Sequence, residues 1–156
     1  MTRPLQPFLI TPVQGCWIRV RDADPTCRLI FKAHYSYKPA AGRDPAKFVG
    51  PGEHLVLITG CARAMFVWRK FRSANDQTGI NCAVFRNEGA GLSSDLIRDA
   101  DQIAWEHWPT ESRHYTYVNP RKIRSSNPGY CFIQAGWRRL PQLTKARKLV
   151  ILEIMR

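Results

Sequence analysis

The stretch INCAVFRNEGAGLSSDLIRDADQIAWEHW, residues 80–108, decides the fold. Its first part, INCAVFR (80–86), is rich in β-branched and aromatic residues, which is typical of a strand. After a glycine turn, apolar residues recur at helical spacing until Pro109 stops the pattern. These apolar positions are Leu92, Leu96, Ile97, Ala100, Ile103, Ala104 and Trp108. The stretch therefore predicts a strand, a tight turn and an amphipathic helix with Ser93 or Ser94 as its cap.

Further strands and helices flank this stretch on both sides. A helix is predicted after Pro25 with Asp24 as its cap, and a short helix from Ser126 to about Ala135. Residues 38–53, rich in proline, glycine and charge, predict a long loop. The runs that predict strands are WIRVRD (17–22), HLVLIT (54–59), AMFVWRKFR (64–72), HYTYV (114–118) and KLVILEI (148–154).

The order of these elements predicts an α/β fold in the broad sense, a mixed α+β sheet with helices on its faces. The three strands between residues 54 and 86 are separated by short turns, so we expect an antiparallel meander and a mostly antiparallel sheet. No repeat, low-complexity tract or flexible linker divides the chain. We therefore expect one domain over residues 1–156.

Composition narrows the class of protein further. Hydrophobic residues make up 44% and aromatic residues 11% of the 156 residues, which excludes a mainly disordered chain. No apolar run approaches the roughly 18 to 20 residues that cross a bilayer, and the N-terminus lacks the features of a signal peptide. We expect a cytoplasmic protein without a membrane partner. The oligomeric state stays open, a homodimer included.

The cysteines and histidines predict no metal site. Five cysteines, at positions 16, 27, 61, 82 and 131, form no C-x-x-C pair and have no histidine at metal-finger spacing. We interpret them as reduced and mostly buried, with Cys61 and Cys82 fitting that interpretation best. His54, His107 and His114 are scattered along the chain.

Positive charge is concentrated in parts of the chain. The 24 Lys and Arg against 12 Asp and Glu give a formal charge of +12. Because the basic residues are concentrated in acid-free parts of the chain, they favour a nucleic-acid partner over charge that merely keeps the protein soluble. Trp68, flanked by Arg69, is predicted to lie on a nucleic-acid surface, whereas Trp105, Trp108 and Trp137 are predicted to be core. Nine basic residues and no acid lie between Ser112 and Leu152: Arg113, Arg121, Lys122, Arg124, Arg138, Arg139, Lys145, Arg147 and Lys148.

The turn RNEGAG, residues 86–91, is the motif that suggests chemistry. A glycine turn between a strand and a helix start directs backbone N–H groups outward, and these groups with the helix dipole suit a pyrophosphate. The alternative is that Gly89 and Gly91 simply make a tight turn. Glu88 could act as a general base, or could merely be stabilised by the helix dipole.

The sequence of strand, R-x-x-G-x-G turn, helix, strand and a short helix ending in FIQAGW (132–137) resembles the GNAT superfamily of acyl-CoA N-acyltransferases. The resemblance implies acetyl-CoA or another acyl-CoA as cofactor. The family's usual general-acid tyrosine corresponds to Phe132, so Tyr130, Ser126 or a water would have to replace it, or the step runs without a positioned acid. Asn127, in the same loop, could contact the acceptor, or the loop could serve only to cap the short helix. The resemblance implies that the cofactor contacts Phe85, Arg86, Asn87, Gly89, Ala90, Gly91, Leu92 and Ser93.

A second segment, AHYSYKPAAG (33–42), is similar to the W-H-Y-S-x-x-x-P-x-G segment of phage DNA-modification proteins of the Mom type. This similarity implies modification of a DNA base in a bacterial host cell. His34, Tyr35 and Ser36 are then candidates for catalysis, and Tyr37 and Lys38 for binding the base and its phosphate. The alternative is that the tyrosines pack under the loop and the histidine satisfies a backbone carbonyl. The other substrate-binding candidates are Arg63, Trp68, Arg69, Arg121, Lys122 and Arg124.

Together these features predict a GNAT-like transferase that uses an acyl-CoA to modify a nucleic-acid base. Two alternatives stay open. An N-acetyltransferase acting on a protein or small-molecule amine would share the glycine turn without needing the basic stretch. A non-catalytic nucleic-acid-binding protein would keep the basic stretch without binding an acyl-CoA.

Overall fold

A computed structural model describes residues 11–12, 15–34, 37, 49–50, 52–71, 77–123 and 126–156. The described helices are α1 (Pro25–Lys32), α2 (Ser93–His107) and α3 (Tyr130–Gln134). The described strands are β1 (Thr11–Pro12), β2 (Trp17–Val20), β3 (Glu53–Thr59), β4 (Ala64–Lys70), β5 (Ile80–Asn87), β6 (Arg113–Val118), β7 (Arg138–Leu143) and β8 (Val150–Met155).

The strands form one eight-stranded sheet in the order β1-β2-β3-β4-β5-β6-β8-β7. Every neighbouring pair is antiparallel except β5 and β6, which run parallel because α2 connects them. The predicted meander of β3, β4 and β5 is confirmed. So is the predicted class, a mixed and mostly antiparallel sheet flanked by helices.

Helices cover both faces of the sheet. On one face α2 and α3 pack over a core that includes Trp17, Phe66 and Trp68. On the other face α1 packs through Ile30 and Phe31 on a second core. The predicted cap of α1 is confirmed, because the Asp24 carboxylate accepts hydrogen bonds from the N–H groups of Thr26 and Cys27 with Pro25 in the first turn.

Several boundaries differ from the sequence prediction. Neither predicted serine caps α2, whose N-cap is Leu92 with no side-chain cap bond from the described residues. The short helix α3 starts only at Tyr130, because Gly129 adopts a left-handed conformation (φ 81°) just before it. Strand β7 was not predicted, since RRLPQL is an exposed edge strand with a proline at an irregular position.

A buried polar network fastens α2 to the sheet. The Asp101 carboxylate on α2 accepts hydrogen bonds from His114 Nδ1 on β6 at 2.7 Å and from the Trp137 indole at 2.8 Å. The Trp105 ring stacks on the imidazole at 3.5 Å. Burial lowers the pKa of His114 and raises that of Asp101, so the imidazole stays neutral and donates to the carboxylate.

Two predictions about buried and exposed side chains are wrong. Trp68 is fully buried, with its indole donating to the Ala100 carbonyl at 3.1 Å, so it does not belong to a nucleic-acid surface. Its strand is covered on both faces, which the flanking charges could not reveal. Cys16 and Cys61 are exposed, whereas Cys82 is buried as predicted.

Other predictions about the core are confirmed. Trp105, Trp108 and Trp137 are buried.

None of the helices in the described parts of the chain is both long and apolar enough to cross a membrane.

Candidate functional site

The parallel strands β5 and β6 pair over only three residues each. The pairs are Ile80 with His114, Asn81 with Tyr115 and Cys82 with Thr116. Beyond them β5 continues through 83–87 without pairing to β6, which creates a fork between the two strands. The Thr116 hydroxyl closes its narrow end by donating to the Cys82 carbonyl at 2.9 Å.

The fork leaves backbone hydrogen-bonding groups available. Residues 84–87 pair with β4 on their other side, and Ala83 is the extra residue where the register shifts between Val67 and Trp68. In an antiparallel ladder, alternate residues direct their N–H and C=O away from the partner strand, here toward the fork. Phe85 lies at one side, with its ring in contact with the rings of Phe66 and Phe132 at 5.3 and 6.1 Å between centroids. The fork can therefore accept an extended ligand that carries amide groups.

At the open end of the fork, Asn87 organises the predicted glycine turn. Its side-chain oxygen accepts hydrogen bonds from the N–H groups of Gly89 and Ala90, at 3.0 and 2.8 Å. Its amide donates to the Gly91 carbonyl and to the Ser93 hydroxyl. The expectation that successive N–H groups of the turn face outward is therefore wrong for these two residues, whose donors are satisfied within the turn.

The start of α2 supplies the donors that the turn itself does not. No side chain of the described residues caps this helix, and the Asp95 N–H already donates to the Leu92 carbonyl, so the N–H groups of Ser93 and Ser94 are the ones left for another acceptor at the positive end of the helix dipole. Gly91 (φ 150°) has no atom within 4 Å of where a Cβ would stand, so the backbone there is open to a ligand. The exposed Leu92 follows it. This arrangement suits an anion such as a pyrophosphate.

His34, Arg86 and Glu88 lie together on the α1 side of the fork. Arg86 Nε donates to Glu88 Oε2 at 2.8 Å. Burial, and then the nearby positive charge of Arg86, lower the pKa of His34 to about 4. His34 follows the C-terminus of α1, so the register of the sheet brings a residue more than 50 positions away from Arg86 to the same place. At neutral pH this imidazole is neutral.

The segment before and within α3 presents polar groups beside the fork. Ser126 and Asn127 are exposed, and the Asn127 carbonyl accepts the Tyr130 N–H at 3.1 Å. The Tyr130 side chain is 54% exposed, whereas Phe132 is buried in the core. Phe132, which cannot donate a proton, thus packs inward, and Tyr130 keeps its hydroxyl near solvent.

Basic side chains collect at the end of the sheet where the fork opens. The ladder pairs Ala64 with Asn87 and Val118 with Val150, so the turns 60–63, 119–123 and 144–149 all lie at this end. The turns are tied together, because Arg121 Nη2 donates to the Arg147 carbonyl at 2.9 Å. We call this surface the basic end; its exposed basic residues are Arg63, Arg121, Lys122, Lys145, Arg147 and Lys148.

Two other basic residues of the stretch between Ser112 and Leu152 form ion pairs with a buried carboxylate. Arg113 and Arg138 both bond to the buried Glu153, at 2.8 and 2.7 Å. Burial raises the pKa of this carboxyl, but the two guanidinium groups outweigh burial and hold it below its usual value. One carboxylate offsets one of the two positive charges, and the two bonds hold β6, β7 and β8 together. The pairing of Arg113 with Met155 and of Arg138 with Glu153 places both arginines toward the end of the sheet opposite the fork, so they do not add to the basic end.

The remaining candidates lie elsewhere or outside the described residues. The Arg69 guanidinium packs 3.8 Å over the Phe71 ring, and its pairing with His54 places it at the end of the sheet opposite the fork. Tyr37 is half-buried, with its ring against Phe31 at 5.4 Å. The candidate residues that lie outside the described ranges are Tyr35, Ser36, Lys38 and Arg124.

Sequence reasoning missed two features of this site. The role of Thr116 in closing the fork has no local signal, because it depends on how β5 and β6 pair. In the sequence the turn at 144–149 is notable only for its positive charge, although its Thr144 hydroxyl accepts the Leu149 N–H at 2.9 Å and orders the turn.

No group of three or more His, Cys, Asp or Glu among the described residues could hold a metal ion.

Comparison with known proteins gives limited similarity. No protein-family model matches the chain, and no curated protein sequence does. Among solved structures, a GNAT-family acetyltransferase from Bacillus anthracis is similar with a TM-score of 0.43 and 10% identity, over 65% of each chain. A spermidine N-acetyltransferase from Vibrio cholerae is similar with a TM-score of 0.40 and 12% identity, over 65% of this chain and 64% of that one. The chain thus spans less than two thirds of the length of these two proteins.

Proposed function

We propose that the protein is an acyl-CoA-dependent N-acyltransferase of the GNAT type. The observation that carries this proposal is the fork between β5 and β6, which opens onto the Asn87-organised turn and the uncapped start of α2. An extended amide-containing arm fits the unpaired edge of 83–87, and a pyrophosphate fits the N–H groups at the start of the helix. The open space at Gly91 is what a closely approaching diphosphate requires.

The cofactor would supply an activated thioester carbonyl, and the chain's own groups would orient it. Backbone N–H groups of 83–87 that face the fork would bind the carbonyl oxygen, a role that needs fixed donors in a site poor in water. Holding the acceptor amine and the carbonyl in line contributes more than acid–base help when the amine is a weak nucleophile. Tyr130 and Ser126, rather than the buried Phe132, are the side chains that could give a proton to the leaving thiolate.

The environment of His34 limits what it can do. A base with a pKa of about 4 holds a proton poorly at neutral pH. His34 is therefore suited to accepting a hydrogen bond from the acceptor's amine, rather than to storing its proton. The Glu88 carboxylate, which is held by Arg86, is a second hydrogen-bond acceptor at this side of the fork.

We further propose that the acceptor is a base of DNA. The support is the basic end, where exposed Arg and Lys side chains surround the opening of the fork. Among the described turns at this end, the one acidic residue is Glu88, and its carboxylate is already paired with Arg86. A polyanion is the partner that such a surface attracts. His34, a described residue of the segment that is similar to that of Mom-type proteins, lies near Arg86 at this side of the fork.

The product of the reaction tests this proposal. Protein, acetyl-CoA and duplex DNA are incubated together, and the DNA is digested to nucleosides for mass spectrometry, with a basic peptide and a polyamine as parallel acceptors. A modified nucleoside that depends on acetyl-CoA is expected. Acetylation of the peptide or polyamine alone would replace the nucleic-acid acceptor by an ordinary amine, and DNA binding without any transfer would indicate a binding protein.

A further inference from the structure

Two exposed cysteines lie beside each other at the open end of the sheet. The Gly60 N–H donates to the Cys16 carbonyl at 3.1 Å, which extends the β2–β3 ladder by one pair beyond Trp17 and Thr59. Cys61 is the residue after Gly60, so the two cysteines occupy neighbouring backbone positions although 45 residues separate them in sequence. The side chains of both are exposed, unlike those of Cys27 and Cys82.

The two thiols have different surroundings. The Cys61 thiol contacts the Thr59 hydroxyl at 3.5 Å, and this hydrogen bond, followed by that from the Arg63 N–H, lowers its pKa. The pKa of Cys16 is raised by partial burial and then by the negative charges of Asp99 and Cys61. The charge of Cys61 therefore reaches the Cys16 thiol. A thiol that ionises readily next to a second accessible thiol is the arrangement of an attacking and a resolving cysteine.

We propose that Cys16 and Cys61 form a redox-active dithiol that closes to a disulfide on reaction with a low-molecular-weight disulfide. In the first step the Cys61 thiolate attacks one sulfur of that disulfide, forms a mixed disulfide and releases one thiolate. In the second step the Cys16 thiolate attacks Cys61 Sγ and expels the second thiolate. The two cysteines lose two electrons, the small disulfide gains them, and the two thiol protons pass to the two released thiolates.

The closed disulfide would join the start of β2 to the turn between β3 and β4. That turn is attached to the glycine turn, because the Glu88 N–H donates to the Arg63 carbonyl at 2.6 Å. The dithiol is a modification site in its own right and does not depend on the proposed acyltransferase activity.

Oxidation of the full chain with oxidised glutathione tests this inference. The reaction is stopped with an alkylating reagent, and the intact mass and the peptide map are measured. After the mass of the alkyl groups on the remaining thiols is subtracted, the wild-type protein is expected to have lost about two mass units, the two hydrogens of the thiols, with a Cys16–Cys61 cross-link in the map. The Cys16→Ser variant should stop at one glutathione on Cys61. The half-buried Cys131 gives the matched control, and Cys131→Ser should behave as wild type.

Three results would overturn the inference. The wild-type chain could stop at a mixed disulfide on Cys61 under conditions that close an accessible pair. The cross-link could map to a different pair of cysteines. Cys16→Ser could still lose two hydrogens. Because the wild-type map alone decides the outcome, a poorly folded variant does not prevent a decision.

Discussion

Asn87 is the side chain on which the conformation of the glycine turn depends, since it bonds to two N–H groups, one carbonyl and one hydroxyl within residues 89–93. Asn87→Ala removes all four bonds and releases the turn. We expect acetyl-CoA affinity to fall about tenfold or more, the effect of about 1 to 2 kcal/mol in lost preorganisation. Calorimetric titration measures it. Gln102→Ala, which removes an exposed amide on α2, is the matched control and should bind as wild type. Equal affinities for both variants would contradict the assigned role.

His34 gives a prediction about pH. Its pKa is about 4 in the folded chain against 6.5 as the ordinary value, so the unfolded chain binds the proton more tightly. The stability that a neutral His34 contributes is fully present above pH 6.5 and is lost as the pH falls toward 4. In His34→Gln the free energy of unfolding, from urea titrations, should fall less steeply over this window, by about 1 to 3 kcal/mol in total. Parallel curves for variant and wild type would show that His34 is not held neutral.

The glycine turn and the helix after it could be predicted from residues 80–108 because both depend on local patterns. The cap of α1 at Asp24 was equally local. The surroundings of single side chains were not. Trp68 carries charged neighbours in sequence, but its strand is central and covered by α2 on one face and α1 on the other. Cys61 follows a buried strand yet lies in an exposed turn.

At the scale of elements, the attachment of α2 to β6 depends on Asp101. Asp101→Ala leaves the His114 Nδ1–H and the Trp137 indole N–H buried without their acceptor. We expect the free energy of unfolding to drop by about 3 to 5 kcal/mol, the usual effect of removing one partner from a buried network. Urea unfolding followed by tryptophan fluorescence measures it. Asp95→Ala, at an exposed pair with Arg98, should change stability by less than about 1 kcal/mol. A small effect of Asp101→Ala would mean that packing alone holds the helix.

The elements that sequence could not predict are those fixed by distant partners. Strand β7 reads as a loop because it is polar, contains Pro141 and pairs on one side with β8 alone. The fork depends on where β5 and β6 stop pairing, and no residue type in either strand predicts that position from the sequence. By contrast, the apolar residues of α2 recur at helical spacing because one face of the helix is buried against the sheet. This pattern was sufficient to locate the ends of the helix within a residue or two.

At the scale of the whole molecule, the two ends of the sheet differ in their charged residues. Acidic Glu53 and Glu111 pair with Lys70 at the end opposite the fork. The six exposed residues of the basic end, Arg63, Arg121, Lys122, Lys145, Arg147 and Lys148, surround its opening. The formal charge of +12 alone indicated a polyanionic partner, but only the strand register shows that the exposed charge collects beside the candidate site.

Salt dependence tests the basic end. We expect the protein to bind duplex DNA at low salt, with an affinity that falls steeply as salt rises. The double variant Lys145→Ala/Lys148→Ala should reduce the slope of log affinity against log salt by about 2, since each neutralised phosphate contributes about 0.9. Lys70→Ala, at the opposite end, should leave the slope unchanged. Fluorescence anisotropy with a labelled duplex provides the measurement, and equal slopes for the two variants would remove the basic end as the DNA-binding surface.

The measurement that tests the central claim most directly is calorimetric titration of the protein with acetyl-CoA, on wild type and on Gly91→Val. A Cβ at Gly91 has open space around it, although a side chain there strains a backbone of positive φ; the valine is expected to block the approach of a pyrophosphate. We expect saturable binding of one acetyl-CoA per chain to wild type and none to Gly91→Val, with a thermal melt confirming that the variant is folded. No heat from wild type at millimolar acetyl-CoA, or undiminished affinity in the folded variant, would contradict the account.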